Sequence, residues 1–356
     1  MMLLITAIVC FLASVALTPL VKKFAIYIGA VDKPNQRKVH QRVMPRLGGL
    51  AIFISMVIGF AIAQPFDDDI ATWPILLGAT IIVITGVFDD RFEISPKVKL
   101  LGQILAAGVV IYGGVQVESI NLPLFEATIE FGIFTIPFTL LWIVGITNAI
   151  NLIDGLDGLA AGVSSIVLIT ISAMAMVMGN TFVVVMGTIL LASTLGFLIY
   201  NFHPAKIFMG DTGALLLGFM ISVFSILGFK SITVYSLILP IIILGVPISD
   251  TLFAIIRRIV NKKPLSAPDK SHLHHCLLRL GFSHRQTVLI IYAMSAFFAI
   301  AAVMLSNSTL WGATLIIAVV LLVTQLVAER VGLVSENYRP VHKLFRKITA
   351  SGRRSA

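Results

Sequence analysis

Charge is scarce in this chain. Only 12% of its 356 residues are Asp, Glu, Lys or Arg, about half the 25% typical of a soluble domain. Too little polar side chain is present to cover a water-facing surface of this size. Cysteine is nearly absent too: Cys10 and Cys276 lie far apart, which excludes a disulfide scaffold. No internal repeat or low-complexity tract is visible, and the composition excludes a disordered chain. It excludes an ordinary nucleic-acid binder as well, despite the pI of about 9.7. The first apolar run lacks a basic start and a small-residue cleavage site, so it reads as a membrane span rather than a cleaved signal. What is abundant is apolar: 58% of residues, with a mean hydropathy of +1.00. The expected class is an all-α, polytopic integral membrane protein.

Runs of spanning length recur near 2–21, 47–64, 73–88, 98–117, 134–152, 159–178, 181–200, 212–229, 232–256, 287–306 and 309–328. That gives about eleven transmembrane helices. Pro240 and Pro247 predict that the ninth is broken. If the spans alternate, segments 22–46, 89–97, 153–158, 201–211, 257–286 and 329–356 share one side. With Lys99 counted there, they hold 25 of the 26 Lys and Arg. The other side keeps Lys230 and the acids Asp67, Asp68, Asp69, Glu118, Glu126 and Glu130. By the positive-inside rule the basic side is cytoplasmic, with the N-terminus outside and the C-terminus inside. The organisation expected is one transmembrane catalytic domain, 1–328, and a basic cytoplasmic tail, 329–356. Lys22, Lys23, Arg257, Arg258 and the tail read as topology determinants and anionic-lipid contacts.

Six carboxylates fall at the cytoplasmic helix ends, where ionisable groups are expensive. Asp89 and Asp90 close the third span, with Glu93 beyond them. Two adjacent carboxylates need a metal or a basic partner, Arg91 or Lys97 being the nearest. Asn148, Asn151, Asp154 and Asp157 recur every third residue, and Gly155 and Gly158 predict a helix opening into a loop. Asp211, between Gly210 and Gly213, is either the N-cap of the eighth span or a ligand. Each segment alone has a plain structural explanation. Three on one face of one bundle do not. Oxygen ligands without thiolates suit Mg²⁺ or Mn²⁺, and an acidic patch ringed by basic loops suits phosphoryl-type transfer.

Two loops add cations. In the segment 268–281, Leu273, Cys276, Leu277 and Leu280 recur at helical spacing, with His272, His275 and Arg279 on another face and Gly281 as terminator. A zinc site of His272, His274, His275 and Cys276 is disfavoured, because neighbours on one turn cannot all reach a tetrahedral centre. Phosphate contact by the imidazoles and Arg279 fits better. The other loop runs from Lys38 through Pro45 and Arg46 to Gly48 and Gly49, which predicts backbone N–H groups and Arg46 turned toward an anion. Asp250, after Pro247, is expected to N-cap the second half of the broken span, with a catalytic role as the alternative.

Taken in order, Asp89-Asp90, Asn148-x-x-Asn151-x-x-Asp154-Gly-x-Asp157-Gly, Phe208-Met-Gly-Asp211 and the His272-x-His274-His275 loop resemble the polyprenyl-phosphate N-acetylhexosamine-1-phosphate transferases of glycosyltransferase family 4. The resemblance covers nearly the whole chain and its motif set is specific. It implies transfer of a sugar 1-phosphate from a UDP-sugar to a membrane polyprenyl phosphate, with release of UMP and a requirement for Mg²⁺, for which Mn²⁺ substitutes. It also implies a bacterial plasma-membrane protein with its active site on the cytoplasmic face, for which a homodimer is one assembly. The loop from Ser266 to Gln286 departs from the three-histidine pattern of the branch using UDP-N-acetylmuramyl-pentapeptide. It is similar to the branch using UDP-N-acetylglucosamine and undecaprenyl phosphate (the WecA and TagO type), which starts envelope polysaccharides such as wall teichoic acid.

Carried over by motif, the resemblance makes Asp211 and Asn151 metal ligands and sets Asp89, with Asp90 beside it, at the lipid phosphate. It places Asp154 and Asp157 at the sugar nucleotide, Phe208 against uracil, and His274 and His275 at the diphosphate, with His272, Arg279, Arg46 and Asn148 as further substrate contacts. Direct attack is favoured over a phospho-aspartate. A lipid-linked sugar transporter is the rival class, but the acids lie at one surface rather than at the midplane of inverted repeats.

Overall fold

The computed structural model describes residues 1–32, 43–65, 72–122, 127–229, 238–262, 264 and 271–333. The expected readings of Lys38, of Asp67 to Asp69, of Pro268 to Lys270 and of the tail beyond 333 lie outside the described residues.

Helices dominate. In chain order they are α1 (Met2–Ile28), α2 (Gly48–Ala63), α3 (Thr72–Phe92), α4 (Pro96–Tyr112) and α5 (Thr135–Ile153). Then come α6 (Leu159–Val177), α7 (Thr181–Asn201), α8 (Gly210–Phe229), α9 (Ile238–Ile243) and α10 (Gly245–Val260). A short α11 (Leu273–Arg279) precedes α12 (His284–Ser306) and α13 (Leu310–Val331). Eight of these, counting the 3-10 turn Gly132–Phe134 with α5, are long and apolar enough to cross a bilayer. The shorter α2 and α4 lie where spans were expected. The protein is thus an α-helical polytopic membrane protein.

The ninth span is broken, as its prolines predict, and the break falls between them: Pro247 has no N–H to donate to Ile243 O. Pro240 lies within α9 and Pro247 within the first turn of α10, while the chain turns at Leu244 between them. A proline in a first turn gives up an N–H that has no partner within its own helix anyway, so Pro247 also suits the start of α10. The fourth span is also shorter than the run 98–117. α4 stops at Tyr112, and two strands follow, β3 (Ser119–Leu122) and β4 (Ala127–Glu130), paired antiparallel. A second ribbon pairs β1 (Val31–Asp32) with β2 (Met44–Pro45). These ribbons were not foreseen in an all-α reading.

α8 is the axle. Its whole length is buried, against α2, α3, α5 and α6. Glycines permit the approach: a Cβ on Gly49 would lie 2.0 Å from the Gly213 nitrogen, and one on Gly86 2.4 Å from the Thr212 Cα. The outer ring is apolar, with Leu105, Leu141 and Leu321 each more than half exposed, as lipid-facing side chains are. Several hydroxyls inside the bundle are satisfied locally: Thr18, Ser55, Thr147 and Ser193 each donate to the carbonyl four residues earlier.

Candidate active site

The N-terminal end of α8 organises the site. The Asp90 carboxylate accepts from the Asp211 N–H at 2.9 Å, the Thr212 N–H at 3.0 Å and the Thr212 hydroxyl at 2.7 Å. A carboxylate from α3 thus caps a helix more than a hundred residues away, where the dipole favours it. Its cation is Arg46, with Nε 3.6 Å away, rather than Arg91 or Lys97 as expected. Arg46 also lies 3.8 Å from Asp32 and 3.9 Å from Glu93.

Arg46 is held by a backbone seam. Phe208 N–H donates to Pro45 O, Gly48 N–H to Phe208 O and Gly49 N–H to Met209 O, all within 3.0 Å. This corrects the expectation that Gly48 and Gly49 offer free N–H groups to an anion: the neighbouring loop has taken them. Phe208 sits half-buried on this seam.

Asp211 caps nothing itself; it lies in the first turn of α8. It is bonded to Lys99 Nζ, and its other oxygen accepts from Asn151 Nδ2 at 3.1 Å. Lys99 further reaches Asn151 Oδ1 at 3.1 Å and Asp89 at 3.7 Å. Three oxygen-bearing groups from three helices therefore surround one cationic position, here filled by an ammonium. Such a donor set, all oxygen and no thiolate, fits a hard divalent ion. Lys99 was missed in the sequence, where it counted only as a basic residue at a helix edge.

Beside it, a cavity of about 310 Å³ is lined by Asp89, Lys99, Leu100, Gln103 and Asn148, among others. Gln103 and Asn148 bond each other reciprocally at 2.6 and 3.3 Å. The lining is mixed: Asp89, Lys99, Gln103 and Asn148 are polar, while Ile94, Pro96 and Leu100 are apolar.

α5 ends at Ile153 and the chain opens at Asp154, as the glycines implied. Burial, with Asp90 and then Asp157 contributing repulsion, pushes the Asp154 carboxyl up to about 7. The histidine loop meets this turn: a Cβ on Gly155 would lie 2.3 Å from His274 Nε2. That nitrogen is buried and has no hydrogen-bond partner among the described residues.

Asp250 explains how the loop is held, and it corrects the expectation of an N-cap. It is buried inside α10, and accepts from His272 Nδ1 at 2.9 Å and from the Leu273 N–H at 2.8 Å. It therefore caps α11 instead. His272 is buried, so it does not share an outward face with His275 and Arg279, while Leu280, expected on the apolar face, is exposed; His274 is buried as well. Arg279 itself is exposed, and its guanidinium contacts the Cys276 sulfur at 2.9 Å. His275 is half-buried, with its ring 4.2 Å from that of His274. Asp157 faces another way: His203 Nδ1 lies 2.8 Å from it and the Ala205 N–H donates at 3.1 Å. The buried amide of Asn201, unnoticed in the sequence, joins the two loops by accepting from Gly158 N–H and donating to Ile207 O, both at 3.1 Å.

Burial drives the His274 imidazole down to about 3, so it is neutral from pH 5 to 8. His274→Gln, which keeps a neutral donor, should retain about ten times more activity than His274→Ala. Acidification from pH 7 to 5 favours the unfolded chain at this residue, which takes up a proton the folded one refuses. The glutamine variant should therefore lose less thermal stability than the parent over that range. Equal losses would show that His274 titrates normally.

A family model, glycosyl transferase family 4, matches residues 72–229, which carry the acids of α3, of α8 and of the turn after α5. The chain is 50% identical over 342 residues to the probable undecaprenyl-phosphate N-acetylglucosaminyl 1-phosphate transferase of Bacillus subtilis, covering 96% of this chain and 95% of that one. The chain belongs to glycosyl transferase family 4. Within the family it is also 35% identical over 312 residues to the decaprenyl-phosphate N-acetylglucosaminephosphotransferase of Mycolicibacterium smegmatis, covering 79% and 77% of the two chains. A third member, the undecaprenyl-phosphate alpha-N-acetylglucosaminyl 1-phosphate transferase of Salmonella typhi, is 29% identical over 290 residues, again 79% and 77%.

Proposed function

We propose that the protein transfers N-acetylglucosamine 1-phosphate from UDP-N-acetylglucosamine to undecaprenyl phosphate and releases UMP. The observation that carries this reading is the convergence of Asp89, Asn151 and Asp211 on one cation position, beside a cavity that Ile94, Pro96 and Leu100 also line. A charged centre next to apolar lining suits an acceptor that is phosphate at one end and hydrocarbon at the other. The names of the relatives support the same substrates. The charge asymmetry of the loops supports eleven spans, an outside N-terminus and a site facing the cytoplasm of a bacterial cell.

Asp211 and Asn151 would hold Mg²⁺, or Mn²⁺ in its place, with Asp89 at its edge. When bound, the ion neutralises phosphate charge and orients the reacting groups. A lipid phosphate oxygen forms the new bond to the sugar-bearing phosphorus as the bond to the bridging oxygen of UMP breaks. Asp89 accepts the remaining proton of the lipid phosphate, whose second pKa is about 6. Lys99 and Arg46 offset the repulsion between two anionic substrates. Asp90 holds the start of α8 in place, so its part is positioning. Neutral His274, with His275, hydrogen-bonds the diphosphate; Asp154, Asp157 and Phe208 flank the nucleotide. His272 acts through Asp250, and Arg279 remains peripheral.

The direct test is UMP release by purified protein given UDP-N-acetylglucosamine, undecaprenyl phosphate and Mg²⁺. The same assay with UDP-N-acetylmuramyl-pentapeptide should run at least about 100-fold slower. Comparable turnover of the two nucleotides would refute the branch, and no UMP with either would refute the reaction.

A further inference from the structure

A second cluster of ligand-bearing side chains joins three segments near the start of α12. A nitrogen of His203, a nitrogen of His284 and a carboxylate oxygen of Asp157 lie within 4.8 Å of one another. The two imidazoles stack at 4.1 Å between centroids, with 22° between their planes. His284 Nε2 is buried and has no hydrogen-bond partner among the described residues. All three side chains are only half-buried, which leaves a side open for a water ligand.

The cluster is braced from several directions. Ser283 and Gln286 form a capping box that fixes the first turn of α12, and with it His284. Arg285 donates to His203 O at 3.3 Å, and the Tyr292 hydroxyl donates to Gly158 O at 2.5 Å. Asn201 ties the Asp157 loop to the His203 loop. Small rotations about the soft χ2 bonds of the two histidines would turn their nitrogens to a common point.

We propose that Asp157, His203 and His284 form a second metal site, one for Zn²⁺ or a similar transition ion rather than Mg²⁺. Two neutral imidazoles and one carboxylate, with water as the fourth ligand, are what zinc takes in open sites. Magnesium favours oxygen and retains its waters. Zinc here pins the loops 154–158 and 202–206 to α12 and occupies the Asp157 carboxylate. Resting on the placement of the nucleotide beside Asp157, this makes zinc an inhibitor that raises the KM for UDP-N-acetylglucosamine.

The test is a titration of the detergent-purified protein with Zn²⁺, and with Co²⁺ as a spectroscopic probe, in millimolar Mg²⁺. The parent should bind an equivalent that shows the visible bands of four-coordinate cobalt. His284→Gln and His203→Gln should each weaken it by at least about tenfold while melting like the parent in a zinc-selective chelator. Absence of saturable binding, binding unchanged in both variants, or displacement by Mg²⁺ overturns the site. Zinc-dependent rise of KM in the parent but not in His284→Gln supports the inhibition, and an unchanged KM in zinc-loaded parent overturns that part. UMP release in the chelator tests the underlying reaction separately, because zinc binding is read without turnover.

Discussion

Asp211→Asn is expected to lower turnover by about 10³-fold while the protein still inserts, purifies as a single species and keeps its helical circular dichroism. Asparagine preserves the shape and one oxygen, but it removes the charge that Lys99 now answers. A divalent ion that must displace or share space with an ammonium needs that charge. Mg²⁺ should therefore raise the melting temperature of the parent by mass action and fail to do so in the variant. A near-normal rate at saturating Mg²⁺ would reduce Asp211 to an acid in a first helical turn, placed there by the dipole alone.

Asp90→Ala should fail differently, through folding. It removes the acceptor of two buried N–H groups and a hydroxyl and leaves Arg46 without its buried carboxylate. Leaving a buried donor without its acceptor costs about 1–3 kcal/mol. The melting temperature should drop sharply with or without Mg²⁺. Asp90→Asn still offers an oxygen to the helix end, and should recover much of the stability. If the alanine variant melts like the parent and is merely inactive, Asp90 belongs to the chemistry rather than to the scaffold.

The sequence carried the positions of the long apolar helices because a bilayer leaves few options: apolar stretches of the right length must be helices, and charge must leave them. The acids were legible for the same reason, being costly where they stand. Lys99 was not, since a lone lysine at a helix edge looks like any topology determinant until the fold brings Asn151 and Asp211 to it. Asn201 and Gln103 were hidden likewise, each an isolated amide whose partner lies more than forty residues away. Asp250 was misread because the turn falls at Leu244, so the helix was already under way when it was reached. The seam between Pro45 and Phe208 joins residues that no local pattern connects, and it consumed the glycine N–H groups that the loop had seemed to offer.

The complete enclosure of α8 bears on how the molecule is made. Helices enter the bilayer before they associate, so α8 first meets lipid on every side and exchanges it for protein only when α2, α3, α5 and α6 close around it. Asp90, the residue that caps its first turn, was synthesised long before and must wait at the membrane surface for Thr212 to arrive. A chain halted before α8 is complete therefore holds an unfilled axis lined by Gly49 and Gly86. The junction of Asp90 with the start of α8 cannot form in a chain that stops short of Asp211 and Thr212.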